Sequence, residues 1–157
     1  MGANKYIKRR SKKKGPVQSK KIIVDGIQFA SGLERYTYES LIENKLFDGY
    51  ENEVFQLIES FSFRNISYEK QANGKGDYTN RGQKNILGIK YTPDFVGKDF
   101  IIECKGRANE SFPIRWKLFK LWLTNNKIGK TLYKPQNQKE VDQTMTLIKE
   151  QRKRRRG

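Results

Sequence analysis

A chain of 157 residues with 33 Lys or Arg, 17 Asp or Glu and no histidine is long enough for one domain with its own core and too short for two ordinary ones. A single cysteine, Cys104, rules out an intrachain disulfide or a cysteine-rich zinc site, and the missing imidazole removes serine and cysteine triads, histidine bases and histidine-held zinc. Carboxylates, lysine and a bound cation are left to carry any hydrolysis. No apolar run approaches the roughly 20 residues of a membrane helix, and the basic start lacks the apolar stretch of an export signal. The chain is therefore expected off the membrane and inside the cell that makes it.

The net charge of +16 suits a polyanionic partner, DNA or RNA, and it is unevenly spread. Residues 1–21 hold nine Lys or Arg and no acid, residues 152–156 read Arg-Lys-Arg-Arg-Arg, and 22–151 carry only +2. Blocks of like charge repel and stay unfolded. The expected organisation is a disordered basic arm over 1–21, a folded domain over 22–151 and a basic tail over 152–157.

In chain order, Ile22 to Phe29 is a short apolar stretch, and Ser31-Gly32-Leu33-Glu34 opens a helix running to about Phe47, with Gly49 as its stop. Tyr38, Leu41, Ile42 and Leu46 fall on one helical face. Val54 to Phe63 alternates as a strand does. Residues 73–85 are rich in turn formers and predict a loop or hairpin tip. Ile86 to Val96 and Phe100 to Lys105 predict a hairpin closed by Gly97-Lys98-Asp99. Pro113 can start a second helix with Ile114, Leu118, Leu121 and Trp122 as its apolar stripe. A short strand at Thr131 to Tyr133 and a helix from about Gln138, striped by Val141, Met145 and Ile148, complete the pattern. This order of elements suits an α/β or α+β layered domain built on a mixed central sheet flanked by helices.

The segment from Tyr91 to Gly106 carries the chemistry. Alternation along a strand puts Glu103 and Lys105 on one face and Ile102 and Cys104 on the other. If the turn at Gly97 folds the two strands together, Asp94 reaches the same end of the sheet as Glu103. Two carboxylates, with the Cys104 backbone carbonyl as a third ligand, would then hold Mg²⁺ or Mn²⁺. Such an ion polarises a phosphodiester and lowers the pKa of an attacking water. Lys105 would orient that water or stabilise the charge that builds up on phosphate. The plainer alternative is a turn aspartate beside an exposed Glu103–Lys105 ion pair.

Pro93-Asp94 followed by Glu103-Cys104-Lys105 resembles the signature of the PD-(D/E)xK nuclease superfamily. Together with Ser31-Gly32-Leu33-Glu34 at a helix start, Tyr91-Thr92-Pro93-Asp94-Phe95 and Lys105-Gly106, it is similar to the bacteriophage endonuclease I family of Holliday junction resolvases over about residues 29–123. That resemblance implies a restriction-endonuclease-like fold. It implies an Mg²⁺-dependent endonuclease, acting as a homodimer on branched or four-way-junction DNA in the cytoplasm of a phage host. It gives Glu34 a metal-facing role beside Asp94, Glu103 and Lys105. Ser31-x-x-Glu34 also fits a helix capping box, in which the glutamate serves the backbone instead. A nuclease without junction preference and a non-enzymatic basic nucleic-acid-binding protein are the alternatives. Residues 98–134 hold nine Lys or Arg against three acids, and residues 22–72 four against nine. Arg107, Arg115, Lys117 and Lys120 are therefore expected to line the DNA backbone beside the site.

Overall fold

A computed structural model describes residues 21–106 and 111–157. The expected basic arm, save Lys21, and Arg107 lie outside the described residues.

Ile22–Val24 (β1) and Ile27–Phe29 (β2) pair antiparallel. Asp25 and Gly26 between them both take positive φ, 50° and 76°, the turn whose twist matches that of the strands. The Tyr38 hydroxyl donates to Asp25 Oδ2 at 2.8 Å, which ties this hairpin to the helix that follows, Gly32–Glu43 (α1). That helix stops before Phe47 and without using Gly49. Lys45 takes the left-handed conformation at φ 55°, and the Leu46 N–H closes on the Leu41 carbonyl at 2.8 Å. Leu46 thereby folds back into the core, and this apolar contact ends the helix in place of a glycine. Ile42, expected on the inner face, is exposed.

Phe55–Ile58 (β3), Phe61–Phe63 (β4) and Tyr68–Glu69 (β5) run outward. Thr79–Asn80 (β6), Lys84–Ile86 (β7) and Ile89–Tyr91 (β8) return antiparallel to them. β3 pairs with β8, β4 with β7 and β5 with β6, so residues 55–91 form one long two-stranded ribbon. The predicted strand over 54–63 is broken at Glu59 and Ser60, after a register shift between Gln56 and Ile58. A Cβ at Gly88 would stand 2.4 Å from the Ile58 carbonyl oxygen, so a side chain there would force the two strands apart.

The centre is a three-stranded sheet of Phe95–Val96 (β9), Phe100–Ile102 (β10) and Thr131–Tyr133 (β11), in the order β11-β10-β9. β9 is antiparallel and β11 parallel to β10. Gly97 N–H donates to the Phe100 carbonyl at 2.9 Å and closes a hairpin at the expected turn. Its first strand is only β9: the expected strand over 86–96 is divided among β7, β8 and β9, and β8 pairs with β3 instead. Phe112–Asn125 (α2) and Gln138–Arg156 (α3) complete the fold. Among the described residues it is a mixed α+β arrangement of three helices and small sheets, and of these sheets the central one alone combines both strand directions.

Alternation sorts this sheet into two cores. Phe95, Phe100, Ile102 and Cys104 pack with Leu41 of α1 and Val141, Met145 and Ile148 of α3. Val96 and Ile101 pack on the other side with Phe55, Tyr91 and the α2 residues Phe112, Trp116, Phe119 and Leu123. Covered on both faces, β10 is apolar at every position, as a fully buried strand must be. The inward stripe of α2 is thus Phe112, Trp116, Phe119 and Leu123, and the expected Ile114 and Leu121 are 64% and 55% exposed. Both sets have helical spacing, and the larger aromatic surface prevails for burial. No helix among the described residues is long and apolar enough to cross a membrane.

Residues 152–156, expected as an unfolded tail, are the last turns of α3. Arg152 grips Asp99 from two nitrogens, Nη2 to Oδ1 at 2.6 Å and Nε to Oδ2 at 3.0 Å, and Arg155 lies 3.9 Å from the same carboxylate. Cations at a helix C-terminus also oppose the negative end of its dipole. This local anchoring outweighs repulsion within the run. Arg152 holds the Asp99 carboxyl below the usual carboxylate range, so its stabilising effect is present above about pH 4 and lost as pH falls through the lowered value. Asp99→Asn is expected to cost about 1–2 kcal/mol at neutral pH. Urea unfolding should show that deficit closing below about pH 4.

Candidate active site

The four side chains singled out from the sequence meet. Glu34, Asp94, Glu103 and Lys105 line one open cavity of about 370 Å³, together with Glu51, Lys90 and Arg115. Glu34 comes from the first turn of α1, Asp94 from the residue before β9, and Glu103 and Lys105 from the chain just past β10. The hairpin and its parallel partner set the last three. Beyond β10 the ladder continues as Glu103 N–H to the Tyr133 carbonyl at 3.0 Å and Lys105 N–H to the Pro135 carbonyl at 3.1 Å. Glu103 therefore keeps the parity of Ile101 and faces the α2 side.

Each carboxylate has its own partners. Tyr91 donates its hydroxyl to Glu103 Oε2 at 2.7 Å, and Lys105 Nζ stands 3.6 Å from Oε1. Asp94 Oδ2 accepts the Cys104 N–H at 2.6 Å, the bond that locks Asp94 to the end of β10. Glu34 Oε2 accepts from the Tyr50 hydroxyl at 2.6 Å and the Ala30 N–H at 3.0 Å, and Oε1 accepts from Ser31 Oγ at 2.9 Å. Ser31 Oγ in turn accepts the Glu34 N–H at 3.2 Å, so the capping reading of Ser31-x-x-Glu34 holds while Glu34 also faces the cavity. Among the described residues no three His, Cys, Asp or Glu side chains are grouped closely enough to hold a metal ion as they stand.

Burial makes these acids uneasy neighbours. Glu34 and Glu103 are 8% and 5% exposed. Asp94 is pushed up to about 8, first by burial and then by the charges of Glu103 and Glu34, against the pull of the Cys104 N–H and Lys105. Burial also raises Glu103, opposed by Tyr91 and Lys105. At neutral pH such a group of carboxylates either retains a proton or needs a cation. Lys105 rests on the Phe112 ring, 4.7 Å from its centroid, which fixes the ammonium at the cavity edge.

The basic residues expected beside the site divide. Arg115 lines the cavity, whereas Lys117 and Lys120 are exposed elsewhere on α2, with Lys120 Nζ 5.7 Å from the centre of the Trp116 ring. Cys104 places its thiol in the core, 3.2 Å from Thr37 Oγ1, where burial raises its pKa and it is no nucleophile. Sequence reasoning missed Tyr50, Tyr91 and Phe112 as supports of the site. Tyr91 lies inside the motif segment and could have been suspected, but nothing local marks Tyr50. It is delivered by a loop whose Glu51 N–H binds the Asp94 carbonyl at 2.8 Å.

The model of a family described as "Protein of unknown function (DUF1064)" matches residues 14–137. The chain belongs to that family. Glu34, Asp94, Glu103 and Lys105 all fall inside the matched region, which ends where α3 begins. No curated protein and no solved structure matches this DUF1064 member.

A pKa of about 8 for Asp94 lies well above the value near 4 expected in the unfolded chain. The protonated form thus stabilises the fold fully below about pH 4, and that contribution is lost as pH rises toward the folded value. Asp94→Asn, which keeps an oxygen for the Cys104 N–H, should match the parent near pH 4. In EDTA it should exceed the parent by roughly 1–3 kcal/mol near pH 8. Superimposable pH profiles of urea unfolding would contradict this.

Proposed function

We propose that the chain is a metal-dependent DNA endonuclease of the PD-(D/E)xK kind, with Asp94, Glu103 and Glu34 as its acidic set and Lys105 as its catalytic cation. The observation that carries this reading is the convergence of those four side chains, from three separated stretches of sequence, on one cavity beside a mixed sheet flanked by helices. A surface ion pair and a turn aspartate would have no reason to share a cavity with a third buried carboxylate. A restriction-endonuclease-like arrangement belongs to the same proposal.

The donor set suits a hard cation. It consists of carboxylate oxygens in a buried, acid-rich cavity where Asp94 resists ionisation, and Mg²⁺ and Mn²⁺ favour oxygen ligands. Asp94 and Glu103 would hold the ion, with Glu34 and the Cys104 carbonyl as further ligands. Bound there, it would activate water and polarise the scissile phosphodiester. Lys105 and Arg115, which line the same cavity, would neutralise charge on the phosphate as it reaches five-coordination. Tyr91 holds one oxygen of Glu103 and leaves the other toward Lys105. Tyr50 and Ser31 restrain Glu34 until a cation competes for it. Homodimeric action on branched DNA, as the endonuclease I resemblance suggests, is part of the proposal, with the host cell's cytoplasm as its setting.

The purified chain is expected to nick a cruciform plasmid and a four-way junction with Mg²⁺ or Mn²⁺, and EDTA should stop it. Asp94→Asn and Lys105→Ala should lower the rate at least about a hundredfold while leaving DNA affinity nearly unchanged. Equal rates on junction, linear duplex and single strand would remove the junction preference. Tight DNA binding with no cleavage in either metal would leave a binding protein and end the nuclease reading.

A further inference from the structure

Not one of residues 59–88 is buried, although they pair into ordered strands. Beyond its root the ribbon adds no buried residue to the core of its own domain, so this outer part has its reason elsewhere. Its root is the cavity, since β8 ends at Tyr91, which binds Glu103, and Lys90 lines the same space. Its outer part is basic, with five Lys or Arg against two acids over residues 61–86. The register pairs Tyr68 with Asn80 and Glu69 with Thr79. Tyr68, Lys70, Tyr78 and Asn80 therefore share one face, while Glu69, Thr79 and Arg81 share the other. On the first face Tyr68 and Tyr78, 59% and 68% exposed, lie diagonally with ring centres 6.0 Å apart and planes tilted by 36°. Asn80 points inward to the turn instead, accepting from the Ser67 and Gly82 N–H groups.

We propose that this ribbon is a DNA-holding arm whose Tyr68–Tyr78 pair, with Lys70 beside it, stacks on unpaired bases of a strand that leads into the cavity. Exposed rings set among cations are the means by which proteins hold single-stranded nucleic acid without reading its sequence. The charge balance argues for the same occupant. Four acids line the cavity against three cations, Lys90, Lys105 and Arg115, so the cavity itself offers a polyanion no net attraction. Affinity has to come largely from basic elements around it, and the ribbon is rooted at its rim. Tyr68 is thirteen positions along the chain from Phe55, so the platform can stand up to roughly 40 Å along the strands from the root. Unpaired bases would thus be gripped well away from the bond that is cut. The placement beside a cut rests on the nuclease proposal, but binding at the platform does not.

The test is fluorescence anisotropy with the full chain in EDTA, comparing a duplex that carries a long single-stranded overhang with a blunt duplex of equal length. Tyr68→Ala/Tyr78→Ala should lose roughly tenfold to a hundredfold in affinity for the overhang substrate. On the blunt duplex it should stay within about a factor of two of the parent. Tyr68→Phe/Tyr78→Phe should bind as the parent does, and all variants should share its thermal midpoint, since both side chains are exposed. No loss, or the same loss on both substrates, overturns the proposal. So does sedimentation showing that the alanine variant converts a dimer to a monomer, which would make the rings a contact between copies. Selective overhang binding by a parent chain that cleaves nothing would uphold the arm and defeat the nuclease reading.

Discussion

Carboxylates buried at the end of an apolar strand are the constraint on which this structure turns. Phe100, Ile101 and Ile102 are sealed between two helical layers, and the next residue, Glu103, is buried too. An isolated charge there would be strongly disfavoured. The fold answers with a hydroxyl from Tyr91, an ammonium from Lys105 and, for neighbouring Asp94, the Cys104 N–H. These contacts hold the acids in place without offsetting burial and the repulsion of Glu103 and Glu34, which is why Asp94 resists ionisation. Acids kept close against their own repulsion store the free energy that a cation or a proton would release.

The layers serve this arrangement from both sides. α1 and α3 fix the hairpin and the chain past β10 through one core, and α2 closes the other face with Phe112, Trp116 and Phe119. Phe112 does two jobs, because it belongs to that core and also lies under the Lys105 ammonium. Tyr91 likewise packs in the α2 core while its hydroxyl faces the cavity. The site is thus carried by rigid elements, and its polar atoms are oriented by residues whose rings are locked in packing.

Charge is segregated across the molecule. The cavity wall sets four acids against three cations, while the outer ribbon, the outer surface of α2 and the last turns of α3 carry an excess of cations. Arg152, Arg155 and Asp99 sit at the start of β10, the end of that strand opposite Glu103. Basic surface therefore flanks the central sheet at both ends. Attraction at the periphery and acids at the centre are what the proposed function would require, a polyanion drawn in by general electrostatics to a cation-dependent site.

Much of the fold was legible in the sequence, because period and turn chemistry are local. The Gly97 turn, the parity that puts Glu103 with Lys105, and the Val141, Met145 and Ile148 stripe of α3 all follow from spacing alone. Where two faces of one helix were both apolar, as in α2, spacing could not choose, and packing against Val96 and Ile101 did. The helix stop at Lys45 and the anchoring of the last basic turn by Asp99 needed partners distant in sequence. So did Tyr50, whose bond to Glu34 depends on a loop laid against Asp94. By itself the sequence determined which chemical groups exist and which neighbours share a face, since these depend on covalent order and backbone geometry. Only the tertiary structure decided that Glu34, Asp94, Glu103 and Lys105 share one cavity, and that residues 59–88 stand away from the core. Burial and charge repulsion are set by which distant surfaces come together.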